Sequence, residues 1–416
     1  LIPRPKSIVT RYAISEHTIV LGFVFVCLPL FDMVNGVLVV RGYLAEGGLA
    51  SPSQLGRLIA TVIMIIACSR SKISLFWILI ISGFFLIETL TGIMENSVTG
   101  TLFGFITVYR IIFIYLLFLT FTKYLWSDIG ILGKYIKLNL NLICLSIIVG
   151  SVTGLGNSTY GWGFGTKGFF ASGNGLGVYI GVAAIFLFGM RYDKLYKAGY
   201  NLTSFLAVGA LLLVGTKTAL VLSLVIMFLI MWTSKLRIIL LASITCGIIY
   251  FKSQILSSLG LVFDVILLRY NNSTSFLHFA GSGRIDYVNN ALETLSAQNV
   301  SALRWLLGKG SYFSFQNPTV STGYDTLETD PFDILFMYGI YGFSIYVAVL
   351  LITVRMNLSR PYILLGLVLL IVHSIVAGHV IFNGMNVTLL AAFMALGRVS
   401  RNNYTQAKLE DKKCNF

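Results

Sequence analysis

The chain has 416 residues, is 56% hydrophobic and only 11% charged, and has a mean hydropathy of +0.85. Soluble domains carry roughly twice that charged fraction, which excludes an ordinary soluble enzyme or binding module. The net charge of +14 would suggest nucleic acid in a soluble chain. Here the cations follow the apolar runs, so they report membrane orientation and no nucleic-acid partner is expected.

Apolar runs of about 20 residues recur, each long enough to cross a bilayer. The short alternating segments of an outer-membrane barrel are missing. The expected fold is an all-α polytopic integral membrane protein with about twelve transmembrane helices. In chain order they are 18–40, 55–69, 73–90, 101–122, 136–155, 173–190, 200–215, 217–233, 236–251, 331–354, 361–378 and 380–397. The first run is too long for a cleavable signal peptide, so none is expected. Cys27, Cys68, Cys144 and Cys246 lie in apolar runs and Cys414 in the tail. That pattern suggests neither a disulfide framework nor a metal cluster.

Lys and Arg orient the spans. With a cytoplasmic N-terminus, the inside segments hold Arg4, Lys6, Arg11, Arg70, Lys72, Lys123, Lys134, Lys137, Arg191, Lys194, Lys197, Lys235, Arg237, Arg355 and Arg360, together with the basic tail from Arg398. That is most of the 30 basic residues. Outside loops before residue 252 carry only Arg41, Lys167 and Lys217. Both termini are therefore expected in the cytoplasm. The chain divides into a bundle of nine spans (1–251), a large outer loop (252–330), three further spans (331–397) and a basic tail (398–416).

The outer loop is nearly balanced in charge, and its cations run against the topology bias. Ile285, Val288, Leu292 and Leu295 recur at helical spacing, which predicts an amphipathic helix over 283–297 with Ser282 as its N-cap. Arg284 falls in its first turn, beside free backbone N–H groups, where a phosphate could be held. Gly308 and Gly310 flank Lys309 in an expected turn. A second outer loop, 156–173, alternates Gly with aromatics, including Tyr160 and Trp162. Interface anchoring and sugar stacking are both open to these rings.

Arg110 lies inside the span 101–122, where a charge costs at least about 2.5 kcal/mol on insertion scales. Asp32 or Glu88 would be its structural partner. Arg57, near the outer end of its span, is expected to snorkel outward. Arg110, Lys217 and Arg284, with Arg304 and Lys309 as further cations, could converge on a diphosphate, Arg as a fork and Lys as a point charge. His278 in the outer loop is a second-choice base, while His373 and His379 read as packing or hydrogen-bonded residues. No P-loop, zinc motif or cytoplasmic acidic pair occurs, so nucleotide-driven chemistry is not supported.

Several short runs in a fixed order then become informative. They are Phe169-Phe-Ala-Ser-Gly-Asn174-Gly-Leu-Gly, Gly215-Thr-Lys217-Thr-Ala-Leu220, Gly283-Arg284 with Val288 and Ala291, Leu307-Gly-Lys-Gly310, and Glu328-Thr-Asp330 with Asp333, Tyr338-Gly339 and Gly342. This order resembles the bacterial O-antigen and capsule polysaccharide polymerases of the Wzy type, within the O-antigen ligase and polymerase superfamily. The resemblance spans roughly residues 20–397.

It implies a glycosyltransferase of GT-C type on the periplasmic face of the inner membrane. Such a protein moves a growing glycan from undecaprenyl diphosphate to the non-reducing end of a new lipid-linked repeat unit. Membrane lipid and a chain-length regulator are the other implied partners. Related ligases look to carry a His where this chain has Glu328, so the acid leans toward a polymerase. The implied site has Glu328 as base, with Asp330 as the alternative, and Arg110, Lys217 and Arg284 on the diphosphate. Tyr160, Trp162, Asn174 and Tyr338 are the expected glycan contacts. No cofactor and no metal are expected, because the leaving group is already a diphosphate that cations can stabilise. A ligase and a lipid-linked oligosaccharide flippase remain the alternatives.

Overall fold

The computed structural model describes residues 15–44, 51–69, 74–160, 165–196, 201–233, 267, 270, 271, 278, 283–297, 301–314 and 326–414, with side chains to residue 399. The expected ninth span, 236–251, Trp162 and Ser282 lie outside them. Among the described residues the chain is helical, with no strand beyond a single bridge between Ser158 and Thr166.

The helices are α1 (Glu16–Val40), α2 (Pro52–Cys68), α3 (Leu75–Met94), α4 (Val98–Leu125), α5 (Gly130–Thr153), α6 (Asn174–Tyr192), α7 (Asn201–Val214), α8 (Lys217–Thr233), α9 (Arg284–Ala297), α10 (Ala302–Leu307), α11 (Asp330–Asn357), α12 (Pro361–Ala377) and α13 (Gly384–Cys414). Six of them, α1, α3, α4, α5, α6 and α11, are long and apolar enough to cross a membrane. Shorter apolar helices are α2, α8 and α12 together with Leu202–Val214 and Gly384–Val399. By length and composition the protein is an all-α, multi-pass membrane protein.

α6 is the central helix, with 89% of its apolar window buried. It is apolar on every face, as a helix enclosed on all sides must be. Its glycines let neighbours close in: Gly181 meets Leu222 of α8 and Gly189 meets Ile363 of α12. α1 carries a π-helical turn, Phe23–Cys27. There Asn139 Nδ2 donates to the Phe25 carbonyl at 2.5 Å, and Tyr179 donates to Asn139 Oδ1 at 2.6 Å. The buried amide is thereby satisfied.

The connections gather at two ends of the bundle. At one end Lys123 pairs with Glu16 at 2.6 Å, Arg360 with Asp193 at 3.7 Å, and Asn357 donates to the Phe393 carbonyl at 3.1 Å. At the other, Lys309 pairs with Glu95 at 2.8 Å, and Gly36 abuts the backbone of Phe169 to Ala171. There too Thr166 N–H donates to the Leu213 carbonyl at 2.8 Å.

Two spans differ from the sequence expectation. The run expected at 331–354 is broken at Gly339, which adopts φ 60°, ψ −159°. A Cβ there would fall 2.5 Å from the Leu306 carbonyl carbon, so only glycine admits the backbone that leads out of α10. The loop after α10 then serves the carbonyls that the break releases. Gly310 N–H donates to Met337 O at 2.9 Å, and Ser314 Oγ donates to Phe336 O at 2.7 Å. Backbone groups away from water require such partners. The run expected at 380–397 also begins later, at Gly384, because 378–383 is non-helical.

Candidate functional site

The segment 378–383 is the junction at which the chemically interesting residues meet. Gly378 and His379 both have positive φ, +60° and +61°, which ends α12. Asp330, at the start of α11, holds the two residues after them. Its Oδ2 accepts from Ser374 Oγ at 2.5 Å, Val380 N–H at 3.0 Å and Ile381 N–H at 3.3 Å. Asn383 Oδ1 then accepts from the N–H groups of Met385 and Asn386 at 3.1 and 3.3 Å, the usual device for starting a helix. Asn386 Nδ2 reaches back to the His379 carbonyl at 2.9 Å and across to the Gly175 carbonyl at 3.2 Å. Three elements thus fix one irregular turn, which gives its backbone groups partners inside an apolar bundle.

Glu328 lies against this turn. Its own φ is +56°, and a Cβ on Gly378 would fall 2.6 Å from the Glu328 carbonyl oxygen. Arg284 Nη2 pairs with Glu328 Oε2 at 2.5 Å, and His379 Nε2 stands 3.9 Å from the same oxygen. Arg284 is buried while Glu328 is partly exposed. α9 supplies that arginine from its first turn. Val288, Ala291 and Leu295 bury its apolar face, as the spacing predicts. A cation at a helix N-terminus is unfavourable without an anion, and here the nearest anion is a carboxylate of the protein itself.

The chain matches no protein-family model and no curated protein. The chemistry of this junction therefore has to be read from its own geometry.

Arg110 also borders the turn, in a small pocket that it lines with Arg57, Tyr109, Phe113, Ile381, Phe382, Gly384 and Val387. Neither expected acid pairs with it. Asp32 pairs with Arg57 at 3.6 Å and accepts a hydrogen bond from Ser53. Glu88 accepts from Tyr338 Oη at 2.7 Å and from Ser311 N–H at 2.9 Å. The Nε of Arg110 is buried with no hydrogen-bond partner among the described residues. Arg57, expected to snorkel outward, is instead folded inward onto Asp32.

Lys217 opens α8 directly after Gly215 and Thr216. Gly173 and Gly177 of the α6 entrance lie against Thr216, and Gly175 lies against Asn383. Lys217 and Asn174 are thus linked to the turn through α6. Tyr160, half-buried, sits in the 156–173 loop, whose Asn157 donates to the Phe170 carbonyl at 3.1 Å.

Two expected site residues are placed differently. Tyr338 is wholly buried and bonded to Glu88, so it offers no surface to a glycan. Asp330 is 1% exposed, and its Oδ2 is taken up in holding the turn; it is a positioning residue here rather than an accessible base. Among the further cations, Lys309 is paired with Glu95. Burial pushes the Arg304 guanidinium below its usual range, with Glu95 pulling the other way. His278 pairs with Asp286 at 2.7 Å. His379, read from the sequence as a packing or hydrogen-bonded residue, stands beside Glu328. Its signal was Ala377-Gly378-His379, a glycine and a polar ring between two apolar runs.

Proposed function

We propose that this protein is a surface-polysaccharide polymerase of the O-antigen type. It transfers a growing glycan from undecaprenyl diphosphate to the non-reducing end of a new lipid-linked repeat unit. The observation that carries the reading is the pairing of Glu328 with Arg284 against the 378–383 turn, with Arg110 bordering the same turn and no acid beside it among the described residues. A carboxylate and separated cations are what the reaction needs: a base for the acceptor hydroxyl and positive charge for the departing diphosphate.

In this reading the diphosphate is bound by Arg284 and Arg110, with Lys217 steering from the head of α8. Glu328 accepts the proton of the acceptor hydroxyl. The isoprenoid tail has an apolar route. Ile381 and Phe382 border the Arg110 pocket and also a second, apolar pocket lined by Trp77, Phe84, Ile345 and Leu390. Tyr160 and Trp162 of the 156–173 loop and Asn174 at the head of α6 contact the glycan.

The reading includes twelve spans, cytoplasmic termini and a periplasmic site in a bacterial inner membrane. The grouping of connections supports that orientation. Lys123, Arg191, Lys194, Arg355 and Arg360 belong to the end away from the turn, where cations are favoured on the cytoplasmic side.

The test is polymerisation by purified protein in nanodiscs, given the cognate undecaprenyl-diphosphate repeat unit and a chelator. A product ladder is expected, and Glu328→Gln should reduce its rate by about 10²–10⁴-fold, the range for loss of a general base. A single unextended band from folded protein would remove the polymerase reading. Transfer to lipid A-core without lengthening would indicate a ligase.

A further inference from the structure

The small pocket beside the turn gathers two guanidiniums and, at its edge, one carboxylate. Arg57 comes from α2 and Arg110 from α4, and both line the pocket with Ile381 and Phe382 of the turn. Asp32 of α1 is the acid, and its Oδ1 already accepts from Ser53 Oγ. It stands 3.6 Å from Arg57 Nη2, longer than a hydrogen bond. Among the described residues neither guanidinium has a hydrogen-bond partner, and the Arg110 Nε is buried as well. Both side chains are half-buried, so they remain within reach of a ligand.

Two like charges in one pocket repel, and a single carboxylate offsets only one of them. The other lining side chains supply no acceptor. Tyr109 is the polar one among them, and its hydroxyl is bonded to Thr61 Oγ1 at 2.8 Å. The same Thr61 oxygen donates to the Arg57 carbonyl at 2.9 Å, which fixes α2 against α4 at this level. Gly384, the first residue of α13, leaves space for Arg57: a Cβ there would fall 2.7 Å from its Nε. The guanidinium thus lies against the first turn of α13, the end of a helix that disfavours a cation and favours an anion.

We infer that Arg57 and Arg110 together seat one phosphate of a lipid-linked diphosphate, and that Asp32 holds Arg57 in place until that anion arrives. The inference rests on the proposed polymerase function and adds Arg57 and Asp32 to its site. Guanidinium forks match phosphate oxygens in pairs. Arg57 turns its fork from the 3.6 Å contact with Asp32 to the phosphate, and Arg110 spends the Nε that otherwise lacks an acceptor. Binding adds the negative charge that the pocket is short of. A diphosphate seated here lies beside the turn that Glu328 flanks: Asp330 accepts from Ile381 N–H at 3.3 Å, and Gly378 abuts the Glu328 carbonyl. Asp32 is a positioning residue in this arrangement, since it acts on the substrate only through Arg57.

The experiment measures the binding of inorganic diphosphate and of undecaprenyl diphosphate to the full chain in nanodiscs. It compares wild type with Arg57→Gln, Arg57→Lys, Arg110→Gln, the double Gln variant and Asp32→Asn. Arg57→Gln and Arg110→Gln should each weaken both probes about tenfold or more, the range for a charge-assisted hydrogen bond. The double variant should lose less than the product of the two factors, because both side chains serve one phosphate. Arg57→Lys keeps the charge without the fork and should fall between wild type and Arg57→Gln. Asp32→Asn removes the competing anion and should tighten binding about threefold or more. A purely structural ion pair would move the Asp32 and Arg57 variants in the same direction. Asp32→Asn that weakens binding, or Arg57→Gln that binds both probes as the wild type does, would overturn the inference. So would an Arg57→Gln protein that loses inorganic diphosphate yet keeps the lipid, since the pocket would then serve a free anion. Should Arg57→Gln fail to fold, Arg57→Lys and Asp32→Asn decide by the same opposition of sign. Binding is read without turnover, so the two readings fail separately. Binding of both probes through the two arginines without a product ladder keeps the phosphate seat and removes the polymerase. A ladder with unaffected binding in Arg57→Gln removes the seat alone.

Discussion

Arg57 and Arg110 share one small pocket, and among the described residues only Arg57 has an acid beside it. The half-buried Arg110 keeps a buried Nε with no partner among them, and a desolvated donor of that kind costs stability. Arg110→Met is therefore expected to raise the melting temperature of the purified protein. On the proposed function undecaprenyl diphosphate is expected to protect the wild type against heat, and the same change should abolish that protection. Thermal unfolding with and without the lipid reads both effects. A melting temperature that falls in the variant would show that Arg110 is held by the fold. The contrast with Glu88 is instructive. Glu88 is equally intramembrane, yet it is satisfied by a tyrosine 250 residues away in the chain. Sequence alone flags the charge in both cases and cannot tell the paired one from the unpaired.

At the scale of elements, α10 and α11 form one interlocking unit at Gly339. Gly339→Ala places a methyl group where the Leu306 backbone runs and demands a left-handed alanine besides. A loss of several kcal/mol is expected, about 1–3 from the backbone alone. It should appear as a lower melting temperature and as faster proteolysis within 301–314. Gly308 faces the Met337 backbone across the same seam. The two alanine substitutions should therefore combine to less than their sum. The apolar helices were legible because length and composition suffice to identify them. The amphipathic α9 was legible because its buried positions recur at helical spacing. The break at Gly339 was not, since a glycine within an apolar run looks the same in a straight span and a broken one; of 378–383 only a span boundary at 379 was legible, and its extent to 383 was not. What decides is a partner from elsewhere, Gly310 and Ser314 in one case and Asp330 in the other.

For the whole molecule, the grouping of connections at two ends makes orientation testable residue by residue. Ser301 precedes α10 at the end that holds the turn, and Ser359 lies beyond α11 at the opposite end; both are exposed. With single cysteines at these positions, a membrane-impermeant thiol reagent applied to spheroplasts should label the Ser301→Cys protein and spare Ser359→Cys until the membrane is opened. The reverse pattern would invert the bundle and put the Glu328 junction in the cytoplasm, where a lipid-linked glycan already exported could not reach it.

The break in α11 also bears on how the protein is made. Helices enter the bilayer before they associate, and a lipid-exposed backbone must satisfy itself. The carbonyls of Phe336 and Met337 receive their bonds from Gly310 and Ser314, which precede them in the chain but belong to a different element. Until that loop docks, the segment has one low-cost form, a continuous helix. Biogenesis is therefore expected to include a step after insertion in which a straight rod is bent and pinned. The residues that pin it precede Glu328 in the chain, so on the proposed function activity is expected only once the bend is made.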